Sequence, residues 1–212
     1  MSTYVKVAMV ISFLLVCVGL FLFSQSWLNR PSHNGPYAIA AANFGGPFTL
    51  VNQDGKTVTE KDFQGTWRLI YFGFTYCPAI CPTELGKMTK VMDELGSMAK
   101  DIHPIFVSVD PERDTVKVMK SYIASFHPSF TGLTGSVEQV EGIKKSYKVY
   151  ASKMKDETMT DYTVDHSSFI YLMDPQENLQ ANYKLHDNAD VMIEDIKTRF
   201  EHVKTLNLPA QN

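Results

Sequence analysis

The chain has 212 residues, with 20 Lys and Arg against 23 Asp and Glu, a formal charge of −3 and three cysteines. A slightly acidic balance lacks the basic face that nucleic acid demands. A hydrophobic content of 44% excludes both a disordered chain and a polytopic membrane protein. Three cysteines cannot form a disulfide framework, and the length suits one domain with chain enough to bury a core.

Charge is unevenly spread. Lys6 is the only charged side chain among residues 1–29, and Val7–Phe23 (VAMVISFLLVCVGLFLF) is continuously apolar apart from Ser12. As a helix this run would be roughly 25 Å long, near the lower limit for a bilayer span. It exceeds the usual apolar stretch of a cleaved signal peptide, so an uncleaved anchor over residues 1–28 is expected, although Ser24-Gln25-Ser26 would pass as a cleavage site. Lys6 ahead of the run orients the body outside the cytoplasm, in the periplasm or an equivalent space. Cys17 reads as part of the apolar run. Residues 29–46 are rich in Pro, Gly, Ala and Asn and read as a linker, 47–205 as the domain, and 206–212 as a tail.

Within the domain, Phe48–Asn52 and Thr57-Val58 flank an Asp54-Gly55 turn, which predicts a hairpin. Trp67–Gly73 (WRLIYFG) predicts a strand, and Leu85, Met88, Met92 and Leu95 recur at helical spacing from Pro82 to about Ala99. His103–Val109 predicts a second buried strand and Thr115–Phe126 a helix. Ser136 with Gln139 is a capping-box signature, opening a helix with Val137, Val140, Ile143 and Tyr147 inward. Ser168–Met173 and Leu179–Tyr183 form a late β-hairpin, and Ile193, Ile196, Phe200 and Val203 mark a last helix. Strands alternating with helices, then a hairpin and helix, describe an α/β, thioredoxin-like fold: a central mixed sheet flanked by helices.

The richest segment is Phe72–Leu85, FGFTYCPAICPTEL. A residue before proline is pushed from the α region, so Cys77 and Cys81 are expected to be turn-like, with Cys81 as N-cap and Pro82 as first helical residue. Unpaired N–H groups at a helix start favour thiolate over thiol. Such a pair could be a disulfide couple, a nucleophile with its resolving partner, or a clamp for a soft metal.

A metal clamp would recruit a third ligand, and the chain has six histidines. His33 lies in the linker, His103 and His127 precede prolines at element boundaries, His186 precedes the last helix and His202 lies within it. His166 is different, because it stands in Thr163–Ser168 (TVDHSS) just before a strand whose start faces the cysteine loop in a thioredoxin-like arrangement. Cys77, Cys81 and His166 together would favour Cu(I), Cu(II) or Zn(II) over hard cations. Asp165, one residue earlier on an extended segment, should point to the opposite face. Asp110–Asp114 (DPERD) reads as a strand-to-helix turn with an acidic cap, and Lys153–Tyr162, with Met154 and Met159, as a polar surface loop.

These segments resemble the Sco/SenC family, membrane-anchored copper proteins of cytochrome c oxidase assembly. The resemblance is carried by FGFTYCPAICPTEL, by SVDPERDT at Ser108–Thr115, by Leu133–Lys153, and by DYTVDHSSFIYLMDP at Asp161–Pro175. It covers most of Phe44 to Phe200, and it departs from many relatives at Tyr76. It implies one copper ion per domain, as Cu(I), Cu(II) or both, held by Cys77, Cys81 and His166. It also implies delivery to the binuclear copper site of cytochrome c oxidase subunit II, with a copper donor and a thiol reductant as further partners. A bacterial inner-membrane location is expected. The rival expectations are a thiol–disulfide oxidoreductase reducing that subunit's cysteines through Cys77 and Cys81, and a redox or copper sensor.

Overall fold

The computed structural model describes Val18, residues 44–155 and residues 161–207, with side chains as far as residue 202. The chain divides into two compact units, Met1–Gly35 and Pro36–Asn212, and the sheet and its helices belong to the second. The expected anchor lies outside the described residues except for the exposed, helical Val18. Among the described residues no helix is long and apolar enough to cross a membrane.

Among the described residues of the second unit, nine strands and four α-helices follow in order: β1 Thr49–Asn52, β2 Thr57–Thr59, β3 Trp67–Gly73, α1 Ile80–Glu94, β4 Ile102–Ser108, α2 Val116–Ile123, β5 Thr131–Thr134, α3 Val137–Ser146, β6 Ala151–Lys155, β7 Tyr162–His166, β8 Ile170–Met173, β9 Leu179–Tyr183 and α4 Ala189–Asn207. Seven strands form one mixed sheet in the order β2-β1-β5-β4-β3-β8-β9. β3 runs parallel to β4, with Trp67 opposite Ile102 through to Gly73 opposite Ser108, and β4 runs parallel to β5. β8 closes antiparallel on the other side of β3, pairing Met173 with Arg68 and Ile170 with Tyr71. The expected thioredoxin-like arrangement, a central mixed sheet between helices, is therefore present.

All seven residues of β3 are buried, because helices cover both faces of this central strand. On one face Trp67 stacks on Phe200 of α4 at 4.6 Å, and Phe106 of β4 meets Tyr122 of α2 at 5.5 Å. On the other, Phe72 and Tyr171 pack against Tyr147 at the end of α3. The capping box read from sequence at Ser136 and Gln139 does form, whereas the helix after Asp110–Asp114 is capped by Thr115, which accepts the Val118 N–H, and not by an acidic residue.

Four expectations need correction. Helix α1 begins at Ile80, not Pro82, so Cys81 is already helical; the first turn has no use for the proline N–H, so Pro82 is tolerated there. Val137 is exposed, because it stands at the first position of α3 on its solvent side. β5 is an unexpected central strand, TGLT, too short and too glycine-containing to show a period. Its Gly132 is needed there, since a Cβ would fall 2.6 Å from Met119 of α2. Finally, Lys153–Lys155 and Tyr162–His166 belong to a two-stranded antiparallel ribbon, β6–β7, rather than a loop. Met154 is exposed on it, and Met159 lies outside the described residues.

Candidate metal centre

β3 ends at Gly73, and Phe74 to Ala79 cross from the sheet to α1 at the carboxyl ends of the parallel strands, where open α/β sheets bind ligands. A turn closed by Cys77 N–H on Phe74 O at 3.3 Å brings Cys77 beneath the helix start. Ala79 offers no side-chain cap; instead the Cys81 N–H donates to Cys77 Sγ at 3.3 Å. Cys77, not Cys81, is thus the sulfur that satisfies an orphan helical N–H.

Cys81 lies on the inner side of α1 and is fully buried. Its Sγ occupies the space left by the missing side chain of Gly73, where a Cβ would sit 2.9 Å away. The Tyr71 hydroxyl, on the same face of β3, donates to Cys81 Sγ at 3.7 Å. His166, the last residue of β7, brings Nε2 within 3.6 Å of Cys81 Sγ while its Nδ1 lies 3.1 Å from Ser167 O. Donation from Nδ1 to that carbonyl leaves Nε2 as an acceptor facing the sulfur. Phe74 and Tyr71 hold the imidazole edge-on, at 5.7 and 6.2 Å between ring centres.

Cys77 and His166 line a cleft of about 270 Å³ with Phe74, Pro78, Ile80 and Val164. Cys81 is not among the lining residues; it is buried, with its Sγ 3.6 Å from His166 Nε2. Both cysteines are free. A hydrogen bond from the Cys81 thiol, with further help from His166 and the Cys81 and Ala79 backbone, holds the Cys77 thiol down to about 4. The same bond, together with burial, pushes the Cys81 thiol well above its ordinary value. The pair therefore carries one proton across the neutral range, as a thiolate and a thiol sharing a hydrogen bond. Two sulfurs and an imidazole nitrogen make a soft donor set that suits copper or zinc and not Mg²⁺ or Ca²⁺. Among the described residues no three His, Cys, Asp or Glu side chains are already closed around an ion position.

The remaining histidines stay clear of this cleft. His103 Nε2 meets the Thr131 hydroxyl at 2.8 Å, His127 Nδ1 meets Ser129 at 2.7 Å, and His186 and His202 are exposed. His33 lies outside the described residues.

Sequence patterns did not disclose the buried frame around the cysteines. Asp114, fully buried, accepts from the Thr75 N–H at 3.2 Å, the Thr75 hydroxyl at 2.6 Å and the Ser108 hydroxyl at 2.6 Å. It ties the cysteine loop to the β4–α2 turn. Arg113 Nε donates to Asp110 Oδ2 at 2.5 Å, and Asp110 Oδ1 accepts from the Tyr162 hydroxyl at 2.7 Å. The acidic turn is more than a helix cap.

A family model described as SCO1/SenC matches residues 37–201. The chain belongs to the SCO1/SenC family. Among known SCO1/SenC relatives it is 45% identical over 163 residues to "Protein SCO1 homolog 1, mitochondrial" of Arabidopsis thaliana, covering 76% of this chain and 48% of that protein. It thus spans about half the length of that relative. It is 37% identical to "SCO2-like protein" of Rickettsia felis, over 92% of this chain and 97% of that one. Among solved structures, Arabidopsis thaliana ScoI with copper bound is 43% identical, with a TM-score of 0.71 over 75% of this chain and 99% of that one. BsSco, described as a Sco-family cytochrome c oxidase assembly protein with a disulfide switch, is 34% identical, with a TM-score of 0.60 over 75% and 95% of the two chains.

Tyr76 and Asp165, singled out within the SCO1/SenC resemblance, are both at the surface of this site. Tyr76 is half-exposed beside Cys77, and Asp165 is exposed and lines the same cleft as Cys77 and His166, so strand alternation does not take it out of the site as expected. Gly73 and Tyr71 were the detectable omissions. They stand two residues apart on β3, so period-two alternation alone places both on one face at the strand's functional end.

Proposed function

We propose that this chain is a copper metallochaperone. In this reading Cys77, Cys81 and His166 bind one copper ion and pass it to the binuclear copper site of cytochrome c oxidase subunit II. The observation that carries it is the approach of His166 Nε2 to within 3.6 Å of the buried Cys81 Sγ, beside a cleft that His166 lines together with Cys77. The donors are soft, as copper requires, and the solved relative from Arabidopsis thaliana is copper-bound. Cargo would meet the accessible Cys77 and His166 first and the buried Cys81 last. Release by ligand exchange to a partner's thiolates would run in the reverse order, without a free ion. The apolar Val7–Phe23 run would tether the domain beside its membrane partner, outside the cytoplasm.

A second reading is favoured by one observation, the thiolate–thiol pairing of Cys77 with Cys81. That arrangement also suits a dithiol reductant: Cys77 attacks a partner disulfide, Cys81 resolves the mixed disulfide, and two electrons pass to the partner. His166 separates the two readings. The experiment is complementation of a host lacking its own SCO1/SenC gene, scored by assembled oxidase. Loss with Cys77→Ala, Cys81→Ala and His166→Ala supports copper delivery. Full rescue by His166→Ala would overturn it in favour of the reductant.

A further inference from the structure

The two halves of the site come from pieces with no shared sheet. Cys77 sits between β3 and α1 and Cys81 in the first turn of α1, whereas His166 ends a ribbon, β6–β7, whose strands pair as a separate two-stranded sheet. Ser167 and Tyr150 close the base of the ribbon, by Ser167 N–H on Tyr150 O at 3.0 Å and Tyr150 N–H on Ser167 Oγ at 3.2 Å. Neither bond attaches it to the cysteine loop. Lys153 to Glu112 reaches the core, but both side chains are about half-exposed and such a pair contributes little.

We propose that Arg113 is the positioning residue that fixes His166 against the cysteines; the proposal rests on the copper reading above. Its guanidinium lies 3.7 Å from the ring centre of Tyr162, and its Nη1 donates to Tyr162 O at 2.8 Å. Tyr162 opens the strand that ends in His166. On the other side the same guanidinium lies 4.8 Å from Tyr76, the residue before Cys77, and 5.8 Å from Phe74, whose ring meets His166 edge-on. Asp110, fully buried, locks the assembly by accepting from Arg113 Nε and from the Tyr162 hydroxyl at once. Arg113 therefore contacts both the strand bearing the imidazole and the loop bearing the sulfurs. Lysine could not replace it. A compact ammonium cannot lie flat against several rings while donating along two fixed directions.

Groups that orient a ligand without touching the metal typically affect affinity by about 10- to 100-fold. The test is a copper competition titration on the purified full chain, for the parent, Arg113→Gln, His166→Ala and the double variant. Arg113→Gln should weaken retention by about 10-fold or more and should add no further loss in the His166→Ala background. Equal loss in both backgrounds, or none in either, would overturn the role. A metal-free arm follows the His166 ring C–H signals by NMR. They should shift or broaden in Arg113→Gln and stay in place in Lys120→Gln, which alters only the exposed pair with Asp54. Unmoved His166 signals in Arg113→Gln overturn the clamp even if the parent holds no copper, a result that would instead count against the copper reading. Should Arg113→Gln not fold, Tyr162→Phe, which removes only the hydroxyl bonded to Asp110, carries both comparisons.

Discussion

At the scale of single residues, the site is governed by where one proton sits. Cys77 is drawn down from an ordinary 9.0 to about 4 by the Cys81 thiol, so it is a thiolate over the whole interval between. A depressed value means that this ionisation stabilises the fold fully above pH 9 and that the contribution fades as pH falls towards 4. Iodoacetamide labelling of the reduced protein should therefore rise with a midpoint near pH 4 at Cys77, while Cys81 stays unlabelled; a midpoint near 9 would contradict the hydrogen-bonded pair. Glycines give a second contrast. Gly73→Ala places a methyl 2.9 Å from both Cys81 Sγ and Phe106, which should cost about 1–3 kcal/mol in urea unfolding and disturb the sulfur. Gly86→Ala, in α1 with nothing near the new atom, should instead stabilise by about 0.5–1 kcal/mol.

At the scale of elements, the cysteine loop is held by the turn that follows β4. Removing Asp114 leaves the Thr75 N–H, the Thr75 hydroxyl and the Ser108 hydroxyl without their acceptor. Asp114→Ala should therefore cost on the order of 3 kcal/mol in denaturant unfolding, and a loss below about 0.5 kcal/mol would show the loop to be self-supporting. β3 and β9 were legible in sequence because each is a compact apolar or alternating run. β5 and the β6–β7 ribbon were not, because four residues show no period and because Ala151–Lys155 (ASKMK) is polar and half in solvent. The start of α1 was misplaced for a different reason. The bias of a residue before proline is local, and the Cys77 sulfur that caps the helix overrides it.

At the scale of the whole molecule, the proposed donors could be picked out in the sequence and the frame that surrounds them could not. Cys77, Cys81 and His166 stand out by chemical type, yet Arg113 and Asp114 read as a turn because the partners that tie them to the cysteine loop and the ribbon, Thr75 and Tyr162, lie 39 and 49 residues away. In the proposed reading the domain couples metal to redox state. A Cys77–Cys81 disulfide would remove two of three donors, so copper retention should vanish on oxidation and return with a dithiol reductant. The most direct measurement of the central claim is an anaerobic titration of the reduced full chain with Cu(I) and Cu(II) against a competing chelator, beside Cys77→Ala, Cys81→Ala and His166→Ala. One ion retained per chain by the parent, with retention weakened in all three variants, is the expected result. A parent that yields its copper to the chelator, or a His166→Ala variant that holds it as tightly as the parent, would contradict a three-donor copper site.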